Sequence, residues 1–225
     1  MGSAIGQILP LAIGVAISPV PIIAVILMLF SARAKVNGPA FAIGWVIGIA
    51  AVTAVALLIG NASGASTSGT ASDTMSWVKL VLGVLLLLAA LRQLRSHPAS
   101  GEEPPVPKWM TGIDAFTTGK AFGLGALLSA LNPKNLALGL SAGASIAQAG
   151  IPAGQQWGTA LIFVAISSVT VALPVIYYLL GGASAARTLD SWKAWLQHNN
   201  ATVMAVLFIV FGFVLIGQAI QTLSA

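Results

Sequence analysis

The chain has 225 residues, of which 57% are apolar and 7% charged, with 10 basic residues against 5 acidic. An ordinary soluble domain carries about 25% charged residues, so this composition excludes a soluble enzyme, a nucleic-acid-binding domain and a disordered chain. The absence of Cys excludes disulfides, thiolate metal sites and thiol redox chemistry.

A helix needs about 20 mostly apolar residues to cross about 30 Å of hydrocarbon. Charge-free stretches cover 1–32, 36–72, 135–186 and 194–225. They predict an all-α polytopic membrane protein with six spans, at 6–30, 40–60, 77–95, 118–147, 157–181 and 200–221.

The first span is expected to be a retained helix, because no basic residue precedes it and it is too long for the apolar core of a signal peptide. Near its middle lies Ser18-Pro19-Val20-Pro21. Proline inside a helix removes a hydrogen bond and clashes with the preceding turn. Ser followed by Pro is also the pattern of an N-cap before the first helical position. The span is therefore predicted to be two half-helices. Pro39, Gly44 and Trp45 mark the start of span 2, and the Gly/Ser/Thr-rich stretch 61–76, with Asp73, reads as an external loop. In span 3, Lys79 and Arg92 lie near the ends and are expected to snorkel. Residues 96–115, with His97, Glu102, Glu103 and Pro104-Pro105-Val106-Pro107, read as a linker between two halves. Span 4 repeats the break as Asn132-Pro133-Lys134-Asn135, and Pro152, Gly154 and Trp157 mark the start of span 5. Pro174 is placed to kink span 5. Gly83–Leu94 in span 3 resembles Gly212–Leu223 in span 6. Gly44/Gly48, Gly119/Gly123 and Gly139/Gly143 have the spacing that permits close helix approach.

The shared order of these features predicts an internal repeat. Residues 1–95 form one three-helix unit, 96–115 a cytoplasmic linker, and 116–225 a second unit, inverted because three is odd. Arg33, Lys35, Arg92, Arg95, Lys108, Lys120, Arg187 and Lys193 fall on one face, and Lys79 on the other. The first face is expected to be cytoplasmic, which puts both termini outside. Trp77, Trp109, Trp157, Trp192 and Trp195 lie near span ends, as interfacial anchors do, whereas Trp45 lies inside a span.

Each new half-helix would present its N-terminus near the membrane midplane, where free N–H groups attract an anion. Lys134 adjoins the second break, about 15 Å from either surface and too deep for easy snorkelling. Two readings follow for its charge. Asn132, Asn135 and backbone carbonyls can hold it, or, since no Asp or Glu lies in the core of any span, a bound anion can. Asp114, the nearest carboxylate, sits about five turns earlier. The candidate substrate-binding residues are Ser18, Pro19, Pro21, Asn132, Pro133, Lys134 and Asn135. Ser129, Ser141, Ser145, Ser167, Ser168 and Thr170, with Thr53 and Gln148, are candidates to line a cavity. Their alternative is to bond their own helices. No catalytic residue, metal site or cofactor is expected: both His residues lie in loops, and there is no P-loop.

With these residues the chain resembles the lysine exporter (LysE) superfamily, and within it the actinobacterial peptidoglycolipid-addressing (GAP) family with its Sap-like sulfolipid-addressing members. The resemblance covers nearly the whole chain, and Asn132-Pro133-Lys134-Asn135 is its most specific piece. It implies the inverted three-helix repeat and a role in moving cell-envelope glycolipids across the plasma membrane. The resulting expectation is a non-enzymatic transporter of an anionic lipid or glycolipid, with Lys134 and the two half-helix ends holding the headgroup. Its partners are the lipid and either a second copy or the envelope-lipid export machinery, not nucleic acid. The alternatives are export of small amino acids and a non-transporting scaffold for a larger lipid exporter.

Overall fold

The computed structural model describes residues 1–63, 69–95 and 112–223, without the side chains of 69–75, Asp114, Gly182, Ala183 and Thr222. The described residues are helical, with no strand. In chain order they form α1 (Gly2–Ala16), α2 (Pro19–Phe30), α3 (Ala34–Ala62), α4 (Gly69–Arg95), a 3-10 turn (Ile113–Ala115), α5 (Thr118–Ala130), α6 (Pro133–Gln148) and α7 (Ala153–Leu223). Among the described residues four segments are long and apolar enough to cross a membrane: α3, Ser76–Arg95, Ala153–Gly181 and Ser184–Gln221. The α1–α2 pair, bent by 52°, makes five if counted as one span.

Both predicted breaks are present, and the residue before each proline explains them. A residue preceding proline is pushed away from helical ψ. Ser18 has φ −123° and ψ 97°, and Asn132 has φ −65° and ψ 121°, so both are extended. Pro10, Pro39 and Pro174 nevertheless lie inside helices. They follow Leu9, Gly38 and Leu173, none of which has a side chain able to accept from the next turn. Among the described residues, the two breaks fall where Ser or Asn precedes the proline, and of these Asn132 caps the following helix with its side chain whereas Ser18 does not.

Several boundaries differ from those read in the sequence. α3 begins at Ala34, so Pro39 sits inside it rather than at its start. The expected external loop 61–76 shrinks, because α3 runs to Ala62 and α4 begins at Gly69. Of the expected linker, 96–111 lies outside the described residues, including His97, Glu102, Glu103, Pro104 to Pro107, Lys108 and Trp109.

The largest difference is at 182–199, read as the loop after span 5 that holds Arg187 and Lys193. It is helical, within a 71-residue α7. Straight, such a helix would measure about 106 Å. It is not straight: the rings of Tyr177 and Trp192 stack at 6.5 Å between centroids, whereas 15 residues of straight helix would separate them by about 22 Å. α7 therefore doubles back between them, beside Gly181-Gly182. Its charges lie along the exposed side of the returning leg, where Lys193 pairs with Asp190 at 2.6 Å.

Glycines set the tightest contacts. A Cβ on Gly44 would lie 2.0 Å from Phe122 O, and one on Gly125 would lie 2.1 Å from Phe41 O. α3 and α5 thus touch backbone to backbone. On its other side α3 meets α6, where a Cβ on Gly143 would lie 2.6 Å from Thr53 O. The Gly44/Gly48 and Gly139/Gly143 pairs do serve packing, but Gly119 and Gly123 face open space, so that expectation is corrected. α4 packs against the final leg of α7, where Gly83 and Gly212 face each other: a Cβ on Gly83 would lie 2.9 Å from Gly212 O, and one on Gly212 would lie 3.1 Å from Gly83 O. Trp45, anomalous in the sequence, is fully buried and donates its indole N–H to Ser167 O at 3.3 Å, tying α3 to α7.

Candidate functional site: two broken helices meeting at Lys134

The two breaks come together in the interior. Lys134 is fully buried. Its Nζ donates to Gly14 O at 2.5 Å, to Ile17 O at 2.9 Å and to Ser18 Oγ at 2.8 Å. An ammonium has three donors, and each has an acceptor here. Gly14 and Ile17 sit in the last turn and at the C-cap of α1, where carbonyls lack helical partners and the helix dipole is negative. The cation on α6 thereby caps α1.

Of the two readings of its charge, this is the one in which the protein itself holds it. The partners are main-chain oxygens and a hydroxyl from the first break, as the carbonyl alternative anticipated. The side chain of Asp114 lies outside the described residues. Lys79 also differs from its reading. It does not snorkel but is 3% exposed and donates to Gln148 Oε1 at 3.1 Å, tying α4 to the end of α6.

Around Lys134 the other candidates divide. Asn132 caps α6, its Oδ1 accepting from the Lys134 backbone N–H at 3.1 Å. Ser18 does not cap α2 through its side chain. Its Oγ turns to Val15 O at 2.7 Å, with Asn135 Oδ1 at 3.2 Å, while Asn135 Nδ2 donates to Leu128 O at 3.3 Å. Pro19 and Pro133 open α2 and α6, and Pro21 is buried in the first turn of α2. An ordinary helix start offers four free N–H groups. Here Pro19 and Pro21 remove two from α2, and Pro133 and the Asn132 cap take two from α6. The half-helix ends are poorer anion sites than the sequence implied.

The cavity candidates lie mostly within helix contacts. Ser129 bonds Ala126 O at 2.9 Å and meets Gly48, and Thr53 bonds Ile49 O at 2.9 Å. Thr170 donates to Ala16 O beside the first break. The buried hydroxyls of Ser141 and Ser145 on α6, and of Ser167 and Ser168 on α7, have no hydrogen-bond partner among the described residues. Nor do the described residues contain a cluster of three or more acidic or His side chains able to hold a metal ion.

What sequence reasoning missed is the acceptor side: Gly14, Ile17 and Val15 act through backbone carbonyls. A signal existed, since a break that frees carbonyls in one span calls for donors elsewhere.

No curated protein and no solved structure matches this chain. The family described as Sap, sulfolipid-1-addressing protein, matches residues 8–221, a stretch that takes in both breaks, Lys134 and the four segments long and apolar enough to cross a membrane. The chain belongs to the sulfolipid-1-addressing protein (Sap) family.

Proposed function

We propose that the protein is a plasma-membrane carrier that translocates an anionic cell-envelope lipid or glycolipid, without catalytic chemistry. In this reading the chain has six spans arranged as two inverted three-helix repeats of the LysE type, with both termini outside the cytoplasm. The observation that carries the reading is the clasp of Lys134 on the end of α1, which joins the two broken spans at one buried cation. The reciprocal approach of Gly83 and Gly212 supports the repeat. These two positions correspond in the two resembling segments, and a pseudo-two-fold axis brings corresponding positions face to face where it crosses a helix pair.

The clasp gives a mechanism for coupling. Parting α1 from α6 takes three acceptors away from a buried ammonium, which costs several kcal/mol if nothing replaces them. An anionic headgroup replaces them, so the open state is favoured when substrate is present and disfavoured when it is absent. Lys134 then exchanges between the α1 carbonyls and the headgroup.

The test is reconstitution of the protein alone into liposomes holding fluorescent phosphatidylglycerol or phosphatidylcholine, followed by a quencher assay of transbilayer movement. The anionic lipid is expected to move faster than in protein-free liposomes, and faster than the zwitterionic one. Lys134→Ala is expected to abolish the difference. Unchanged movement of the anionic lipid by Lys134→Ala protein would refute the headgroup role.

A further inference from the structure

Beside the first break lies a slot of about 350 Å³. Ile22 of α2 forms one wall, with Thr170, Leu173 and Pro174 on the descending leg of α7 and Trp192, Trp195 and Leu196 on the returning leg. We propose that this slot holds one acyl chain of the lipid whose headgroup is handled at Lys134. The proposal rests on the carrier reading above.

Four observations fix the occupant. The lining is apolar, and Thr170 spends its hydroxyl on Ala16 O, so nothing in the slot rewards a polar ligand. The slot opens between two segments each apolar enough to cross a membrane, and Leu173, Trp192 and Trp195 around it are about half exposed, at 51%, 47% and 58%. With both segments in the bilayer, as the carrier reading has them, that mouth faces lipid. Of the charges on the returning leg, Lys193 is held elsewhere: it pairs with Asp190 and stands 5.3 Å from the centroid of the Phe30 ring. Finally, Ile22 lies one helical turn beyond Ser18, about 6 Å along the axis. A chain in the slot therefore has its attachment point within reach of the break.

The slot exists because α7 doubles back. Pro174 lines it on the descending leg, and the indoles of Trp192 and Trp195 are large rigid walls that a flexible leucine pair would not provide.

Photocrosslinking tests the proposal on the intact chain. The protein is reconstituted with a small fraction of phosphatidylglycerol that carries a chain-terminal diazirine, irradiated, and mapped by mass spectrometry. Adducts are expected at 170–174 and 192–196, enriched severalfold over the lipid-facing Leu88 and Leu161, and reduced by excess unlabelled phosphatidylglycerol. The double substitution Leu173→Phe and Leu196→Phe, which fills the slot, is expected to bring the enrichment down to the level of Leu88. Equal labelling of slot and control positions in the unaltered protein overturns the proposal, whether or not the filled variant folds. The flip assay separates the two readings. Enrichment without lipid movement leaves the slot standing and removes the carrier function, whereas movement without enrichment removes the slot alone.

Discussion

The ammonium of Lys134 stands 2.8 Å from the hydroxyl of Ser18, 116 positions earlier in the chain and at the other break. Charge-assisted hydrogen bonds of this kind contribute about 1.5–3 kcal/mol each. Lys134→Ala is expected to lower stability by about 2–4 kcal/mol net of the relieved desolvation of the charge, read as a lower melting temperature in detergent. Ser18→Ala should cost less, because the two α1 carbonyls remain. A double-mutant cycle should give a coupling energy of about 0.5–3 kcal/mol. Additive effects would mean that the two residues do not act together.

The α3–α5 contact makes a sharper packing prediction. Gly44→Ala and Gly125→Ala each force a methyl against a carbonyl at 2.0–2.1 Å, and a backbone oxygen cannot swing away. Each is expected to destabilise by about 1–3 kcal/mol or more. Gly119→Ala and Gly123→Ala on the same helix meet nothing within 4 Å and should be neutral or slightly stabilising, since Ala is the better helix former. Thermal unfolding of the four single variants checks the contrast.

The reversal of α7 is open to direct measurement. Spin labels at positions 177 and 192 are expected to broaden each other strongly, as labels within about 15 Å do, rather than report the roughly 22 Å of a straight helix. A spectrum without dipolar broadening would contradict the doubled-back leg.

Orientation is testable because the chain has no Cys of its own. In intact cells a Cys at Gly150, in the turn between α6 and α7, should react with a membrane-impermeant maleimide. A Cys at Ser191, among the basic residues of the returning leg, should react only after permeabilisation. The opposite pattern would invert the topology argued from the basic residues.

The sequence carried the helical class, the low charge and both break positions, because each depends on local chemistry: runs without charge, and a capping residue before a proline. It did not carry the clasp. Gly14 O and Ile17 O are main-chain atoms of apolar residues, so side-chain chemistry at those positions says nothing about their role. Nor did it carry the extent of α7. Arg187, Asp190 and Lys193 look like a loop when read as composition, yet on a helix they can share the exposed side while Trp192 and Trp195 face the first leg. Gly119 and Gly123 show the converse: spacing is necessary for close approach, but only the neighbouring helix decides which glycines are used, and here it is Gly125.

The clasp on α1 also bears on how the chain is made. Gly14 precedes Lys134 by 120 residues. At translation rates of about 5–20 residues per second, α1 leaves the ribosome roughly 6–24 s before Lys134 does. The carbonyls are therefore already in the bilayer when the cation arrives, and insertion of α6 need never expose a bare ammonium to lipid for longer than it takes to find α1. Reversing the order of the two halves in the gene would make Lys134 wait for its acceptors, so the direction of synthesis itself protects this buried cation.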